Sequence, residues 1–169
     1  MLNEVRLLAL KHWCEKVSGD PELMPENAWG VKVTPENEKE IGPIVKTFCN
    51  FAVQRIVFGA TGYSALYNRT ANSIALWMKE SQDWAVVYHE GVKNLALEGE
   101  LVLAVLEGQP HGHCAVVYPD KFDQFSGKWQ IYCPKVANVG KKNGVMGANY
   151  AFLEPPLYYR LASKWPNEI

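Results

Sequence analysis

Chemistry near neutral pH has to come from side chains that ionise there, and this chain carries four cysteines and four histidines. One cysteine stands out. In "KTFCNFAVQRIVFG", residues 46–59, Cys49 falls where an apolar helical pattern begins, with Thr47 as the expected N-cap. The first turn of a helix presents unpaired N–H groups and the positive end of the macrodipole, which favour a thiolate over a thiol. A thiolate nucleophile needs an imidazole to hold it ionised and then to protonate the leaving group. The candidate is His113 in "HGHCAVVYPD", the first residue of an apolar run that reads as a buried strand. His111, two residues earlier and on the same face of an extended chain, is its rival.

Each of these residues also has an ordinary structural reading. Cysteine is among the most buried residue types, and Cys14, Cys114 and Cys133 are expected in the core, Cys114 facing away from His113 across the strand. His12 and His89 are expected to be hydrogen-bonded structural residues. The cysteines form no CxxC pair and no metal-ligand spacing, so no zinc site is expected; four cysteines could form two disulfides, but without an export signal free thiols are preferred, and no cofactor is expected. "GKKNGVMGANYAF" lacks the spacing of a phosphate loop and reads as a hairpin connection. Tyr158, Tyr159, Trp129 and Trp165 are expected to pack rather than to line a cleft. Asp120, Asp123 and Glu154 form no pair suited to glycoside hydrolysis.

The elements that must position Cys49 and His113 follow from periodicity. A helix is expected over 2–17, with Val5, Leu8, Ala9, His12 and Trp13 on one face, followed by a loop-rich stretch over 18–43. A second helix fits 48–58, with stripes Phe48-Ala52-Ile56 and Phe51-Arg55-Phe58 and Gly59 as its left-handed stop. Others are expected over 71–79 and 84–97. From Gly99 onward "ELVLAVLEG", "HCAVVYPD", "KWQIYCPKVANVG" and "NYAFLE" read as antiparallel strands, and "PPLYYRLASKWPNEI" as a tail packed on the sheet surface. Helices first and strands after define an α+β domain, and the length suits a single domain over 1–169.

With 17 basic and 18 acidic residues and no long run of either sign, the net charge of -1 points to neither a nucleic acid nor an anionic membrane as partner. No apolar run is long enough to span a bilayer. Glu4, Arg6, Lys11 and His12 interrupt the N-terminal apolar pattern, so synthesis in the cytoplasm without a signal peptide is expected.

Cysteine at a helix start, then a strand, then Gly112-His113 opening the next strand in "GHCAVV" resembles the NlpC/P60 and CHAP superfamily of papain-like cysteine hydrolases, in particular its amidase-type members. The upstream "LEGELVLAV" is similar to the family's strand before the histidine. Phe48-Cys49-Asn50-Phe51 stands where many members have Asp-Cys-Ser-Gly. The resemblance covers about 46–152 and implies a papain-like core there, flanked by an extension over 1–45 and a tail over 153–169. It implies Cys49 as nucleophile, His113 as base and, by order of strands, Asn138 in "PKVANVG" as the orienting residue, whose other reading is a turn position before Gly140. It further implies peptidoglycan peptide or amide bonds as substrate, delivery to the cell wall or periplasm, and a possible delivery or immunity protein as partner. Two other classes share such a fold: a catalytically silent binding or scaffold domain, and a thiol acyltransferase or thioesterase.

Overall fold

The computed structural model describes residues 2–24, 48–109 and 111–166. Most of the expected loop-rich stretch, and the expected cap at Thr47, lie outside the described residues. Helix α1 is Leu2–Ser18, and helix α2 is Cys49–Thr61. The face expected of α1 is buried only in part, through Trp13, which packs against the core. Val5 and Leu8 are 62% and 67% exposed, whereas Leu10, Cys14 and Val17 enter the core. Both stripes have helical spacing, and packing against α2 selects between them. There Trp13 lies over Gly59, at which an added Cβ would come within 2.3 Å of the indole. Gly59 therefore sits inside α2 because two helices meet there, and the left-handed stop is Gly62, with φ 76°. On α2 the buried face is Cys49, Ala52, Val53, Ile56, Val57 and Ala60. The expected Phe51-Arg55-Phe58 stripe is exposed, with Phe51 edge-on to Phe48 and Phe58 against Tyr67.

Helix α3, Ala71–Glu80, starts at Thr70, whose hydroxyl accepts from the Ser73 N–H. The helix expected over 84–97 is instead strand β1, Trp84–Val87, then a 3-10 turn at His89–Gly91 and a short helix α4, Val92–Leu97. Trp-Ala-Val-Val is rich in aromatic and β-branched residues, and it finds a partner in the C-terminal tail. That tail does not lie on the sheet surface: Leu157–Leu161 is a strand of the sheet itself, β8, pairing Leu161 with Trp84. "NYAFLE" is not a strand either, since Ala148–Ala151 forms the helical turn α5.

The remaining strands are β2 (Val102–Leu106), β3 (His113–Val117), β4 (Gln124–Ser126), β5 (Ile131–Cys133), β6 (Lys135–Asn138) and β7 (Gly144–Gly147). A six-stranded sheet runs in the order β1-β8-β2-β3-β6-β7, with antiparallel neighbours throughout, and β4 and β5 form a separate hairpin. Leu103, Val105, Cys114 and Val116 pack under α1, α2 and α3 in one apolar core. Val102, Ala104, Ala115 and Val117 face a second core with α4, α5 and Cys133. Because β2 and β3 are buried on both faces, "LVLAVL" and "CAVV" are continuous apolar runs rather than alternating ones. The chain is thus an α+β domain, its N-terminal helices packed on a mostly C-terminal antiparallel sheet. Among the described residues no helix is long and apolar enough to cross a membrane.

The contact between α1 and α2 sets a prediction whose sign depends on background. Alanine is favoured over glycine inside a helix by about 1 kcal/mol, whereas forced overpacking costs about 1–3 kcal/mol. Gly59→Ala is expected to destabilise the chain by about 1–2 kcal/mol in urea unfolding. In a Trp13→Ala background it should stabilise by up to about 1 kcal/mol. Stabilisation in both backgrounds would remove the steric account of Gly59.

Candidate active site

Cys49 is the first residue of α2, and Phe48, at the N-cap position, makes no side-chain capping bond. The start of the helix is tied down instead by Asn50 Nδ2 and Gln54 Nε2, which both donate to the Arg69 carbonyl at 2.9 Å. The thiol is buried, 2% exposed, in the helix-side core.

His113 is the first residue of β3, opposite Leu106 in the register with β2. The glycine before it has a steric cause: a Cβ at Gly112 would lie 2.2 Å from Asn72 Oδ1 and 2.7 Å from the Leu106 carbonyl. Asn72, on α3, holds the β2–β3 connection by donating to the Gly108 carbonyl at 2.9 Å and accepting from the Gly108 N–H at 3.2 Å. The strand therefore enters at a set height over α3. The His113 ring packs edge-on against Phe152 at 4.8 Å between centroids.

Asn138 ends β6 at 3% exposure. Its Nδ2 donates to the Lys142 carbonyl at 2.6 Å, and its Oδ1 lies 2.7 Å from His113 Nε2. With the amide nitrogen committed to a carbonyl, Oδ1 must accept, so Nε2 carries the proton. The hydrogen bond between the ring and Cys49 then falls to Nδ1. The turn behind Asn138 is held by Asn143, which accepts from the Gly140 N–H and donates to the Leu23 carbonyl, both at 2.9 Å.

Burial alone would lower the pKa of His113, but the hydrogen bond and charge of Cys49, then the bond to Asn138, outweigh it and raise the pKa above the ordinary value. The folded chain thus holds this proton more tightly than the unfolded one. The resulting stabilisation is complete below about pH 6.5, the unfolded value, and is lost as pH rises through the raised folded value. The other thiols are pushed toward the protonated form. For Cys114 the first cause is a hydrogen bond to Cys49, with burial second; for Cys14 and Cys133 burial leads.

Cys49, His113 and Asn138 thus come together from α2, β3 and β6. His111 is exposed on the β2–β3 connection, and the ring that meets the thiol belongs to His113. Asn138 closes β6 before the turn, and its Oδ1 accepts from the imidazole. Tyr158, Tyr159 and Trp165 are core residues, and Trp129 is half-buried against the core that holds Tyr158. Asp120 pairs with Lys135 and Asp123 with Lys93, which leaves no carboxylate pair. None of the four cysteines is in a disulfide. Among the described residues there is no cluster of three His, Cys, Asp or Glu side chains suited to a metal. A cavity of about 220 Å³ opens between α3 and the ends of β2 and β8, lined by Ala75, Lys79, Val105, Leu106 and Tyr159. Asn72 and the contact between Cys114 and Cys49 were not foreseen. "TANSIALW" shows only a helix start, and a cysteine alternating with His113 shows only a core position. No protein-family model matches the chain, and no curated protein matches it.

In Cys49→Ala the main contributions that raise the His113 pKa disappear while the ring's environment stays largely apolar. An NMR titration of the ring should therefore show the pKa falling relative to wild type, and a fall in the same direction in Asn138→Ala. An unchanged titration in Cys49→Ala would mean that ring and thiol are not in contact.

Proposed function

We propose that this chain is a thiol amidase or peptidase of papain-like architecture, of the NlpC/P60 and CHAP kind, acting on peptidoglycan peptide or amide bonds. One observation carries the reading. A single imidazole is bound through one nitrogen to a thiol in the first turn of a helix and through the other to a buried amide whose orientation is set by a backbone carbonyl. Only folding brings these three residue types together, and the arrangement suits nucleophilic acyl transfer.

In the proposed mechanism the Cys49 thiolate attacks the amide carbonyl, and the oxyanion forms beside the N–H groups of the first turn of α2. The His113 imidazolium gives its Nδ1 proton to the leaving amine, which leaves an acyl-thioester on Cys49. The neutral ring then takes a proton from water, and the resulting hydroxide releases the acid and restores the thiolate. Asn138 keeps Nε2 protonated through both halves, so that Nδ1 is the nitrogen that exchanges protons. A wall substrate brings with it delivery to the wall or periplasm and, for a delivered toxin, a neutralising partner in the producing cell. A second reading, a silent scaffold of the same fold, draws on the low exposure of Cys49.

The test is the pH dependence of iodoacetamide alkylation at each cysteine, followed by amine release from peptidoglycan fragments. Cys49 alone should react fast below about pH 7, well under the ordinary thiol value near 8.5, and should lose that advantage in His113→Ala. Cys49→Ala should lower amine release by about a thousandfold or more. An ordinary titration at Cys49 would favour the scaffold, and turnover confined to esters and thioesters would favour the acyl-transfer class.

A further inference from the structure

We propose that the cavity between α3 and the ends of β2 and β8 is a substrate subsite that takes an amino-acid head group, with its carboxylate on Lys79 and its ammonium on Glu107. The inference deepens the reading of the chain as an amide hydrolase and rests on it. It starts from the lining. Lys79 and Glu107 both border the cavity of about 220 Å³ and are paired with each other, and the rest of the lining is Ala75, Val105, Leu106, Leu157 and Tyr159. An otherwise apolar cavity thus carries one charge of each sign. At liquid density, about 30 Å³ for a water-sized group, that volume holds about seven non-hydrogen atoms. A small amino acid is of that size.

Position ties the cavity to the reacting groups. Leu106 is the register partner of His113, and its carbonyl would lie 2.7 Å from a Cβ at Gly112, the residue before the base. Asn72, Ala75 and Lys79 follow one another on α3 at helical spacing, so they share a face. Asn72 grips the Gly108 backbone at 2.9 and 3.2 Å, next to Glu107, and the other two line the cavity. β2 and β8 lie one and two strands from β3, about 5 and 10 Å away. An extended chain covers that distance in about two or three residues. A head group seated there therefore stays attached to an amide that His113 can reach.

Charge decides the occupant. The Lys79 and Glu107 side chains are 44% and 51% exposed, and an ion pair so open to water is worth little, so it separates readily. An anion alone would take Lys79 and leave Glu107 unpaired beside it; a cation alone would do the reverse. A ligand bearing an ammonium and a carboxylate on one carbon replaces both partners at once. Because both charges must be free, its link to the rest of the substrate runs through the side chain. The substrate class is thus a peptide that carries, close to the scissile amide, a residue tethered by its side chain with its own head group free.

The experiment is an NMR chemical-shift titration of the full chain with alanine, propionate and ethylamine, which differ in the charges they carry. Alanine should move the amides of Lys79, Leu106, Glu107 and Tyr159 with a dissociation constant in the millimolar range, and propionate and ethylamine should each bind at least about tenfold more weakly. Lys79→Met and Glu107→Gln should each weaken alanine by about tenfold or more. The exchanged pair, Lys79→Glu with Glu107→Lys, should recover binding to within about threefold of wild type with the ligand reversed, which a loss caused by misfolding would not do. Propionate binding as tightly as alanine would reduce the site to a lone lysine and overturn the proposal, as would alanine shifts that leave the cavity untouched. Alanine should also slow amine release from peptidoglycan fragments competitively, at the concentration at which it fills the cavity. Full occupancy without inhibition would overturn the subsite. Alanine in the cavity of a chain that releases no amine would support the amino-acid site and overturn the hydrolase reading instead.

Discussion

The hydrogen bond between His113 Nε2 and Asn138 Oδ1 is the constraint on which the site depends. An imidazole in isolation can present either nitrogen to a thiol, and only one tautomer and one ring rotation put an exchangeable position at Nδ1. Asn138 imposes that choice because its own amide is not free to flip: Nδ2 is held by the Lys142 carbonyl. The turn that supplies this carbonyl is in turn fastened by Asn143 to Gly140 and to the carbonyl of Leu23. A residue at the N-terminal end of the chain thereby bears on the orientation of a ring in the sheet. That is a brace of ordinary hydrogen bonds, and each is short enough to restrict its partner to one orientation.

The sheet explains why these residues meet at its end. β3 is buried on both faces, so nothing reactive can project from its middle. Its first residue is different, since there the chain has just turned and one side chain can reach around the strand end toward the helix start. Gly112 makes the turn possible by leaving room for Asn72 and for the Leu106 carbonyl. Asn72 fixes the loop in two directions at once. The placement of His113 is therefore a consequence of how α3 grips the β2–β3 connection, and that of Cys49 a consequence of α2 lying across β3.

Much of this is visible in residue order and some of it is not. Cys49 at a helix start and Gly112-His113 at a strand start are local patterns, and helix or strand propensity over a few residues suffices to read them. The failures all involve partners distant in sequence. Trp84–Val87 could be helix or strand by periodicity alone, and β8, at the far end of the chain, decides it. The buried face of α1 depends on where Trp13 meets Gly59. That same contact turns Gly59 from an apparent helix stop into a helix-packing position. Tyr158 and Tyr159, in an aromatic tail that could have been surface, are in the sheet interior for the reason that β1 and β2 both lack another neighbour there.

Burial and ionisation pull in opposite directions at this site, and the outcome for His113 shows which wins. Desolvation opposes the imidazolium, yet the thiol and the asparagine together more than offset it. The balance is conditional, because the imidazolium is stable only while a negative sulfur is beside it. A pair of this kind is worth little to the folded chain compared with an apolar packing of the same volume. Under the proposed function, such a pair in a core otherwise largely apolar serves chemistry rather than stability. At 2% exposure, a thiolate at Cys49 would need an internal neutralising partner, and His113 is the group placed to be one; a silent scaffold would show the same low exposure.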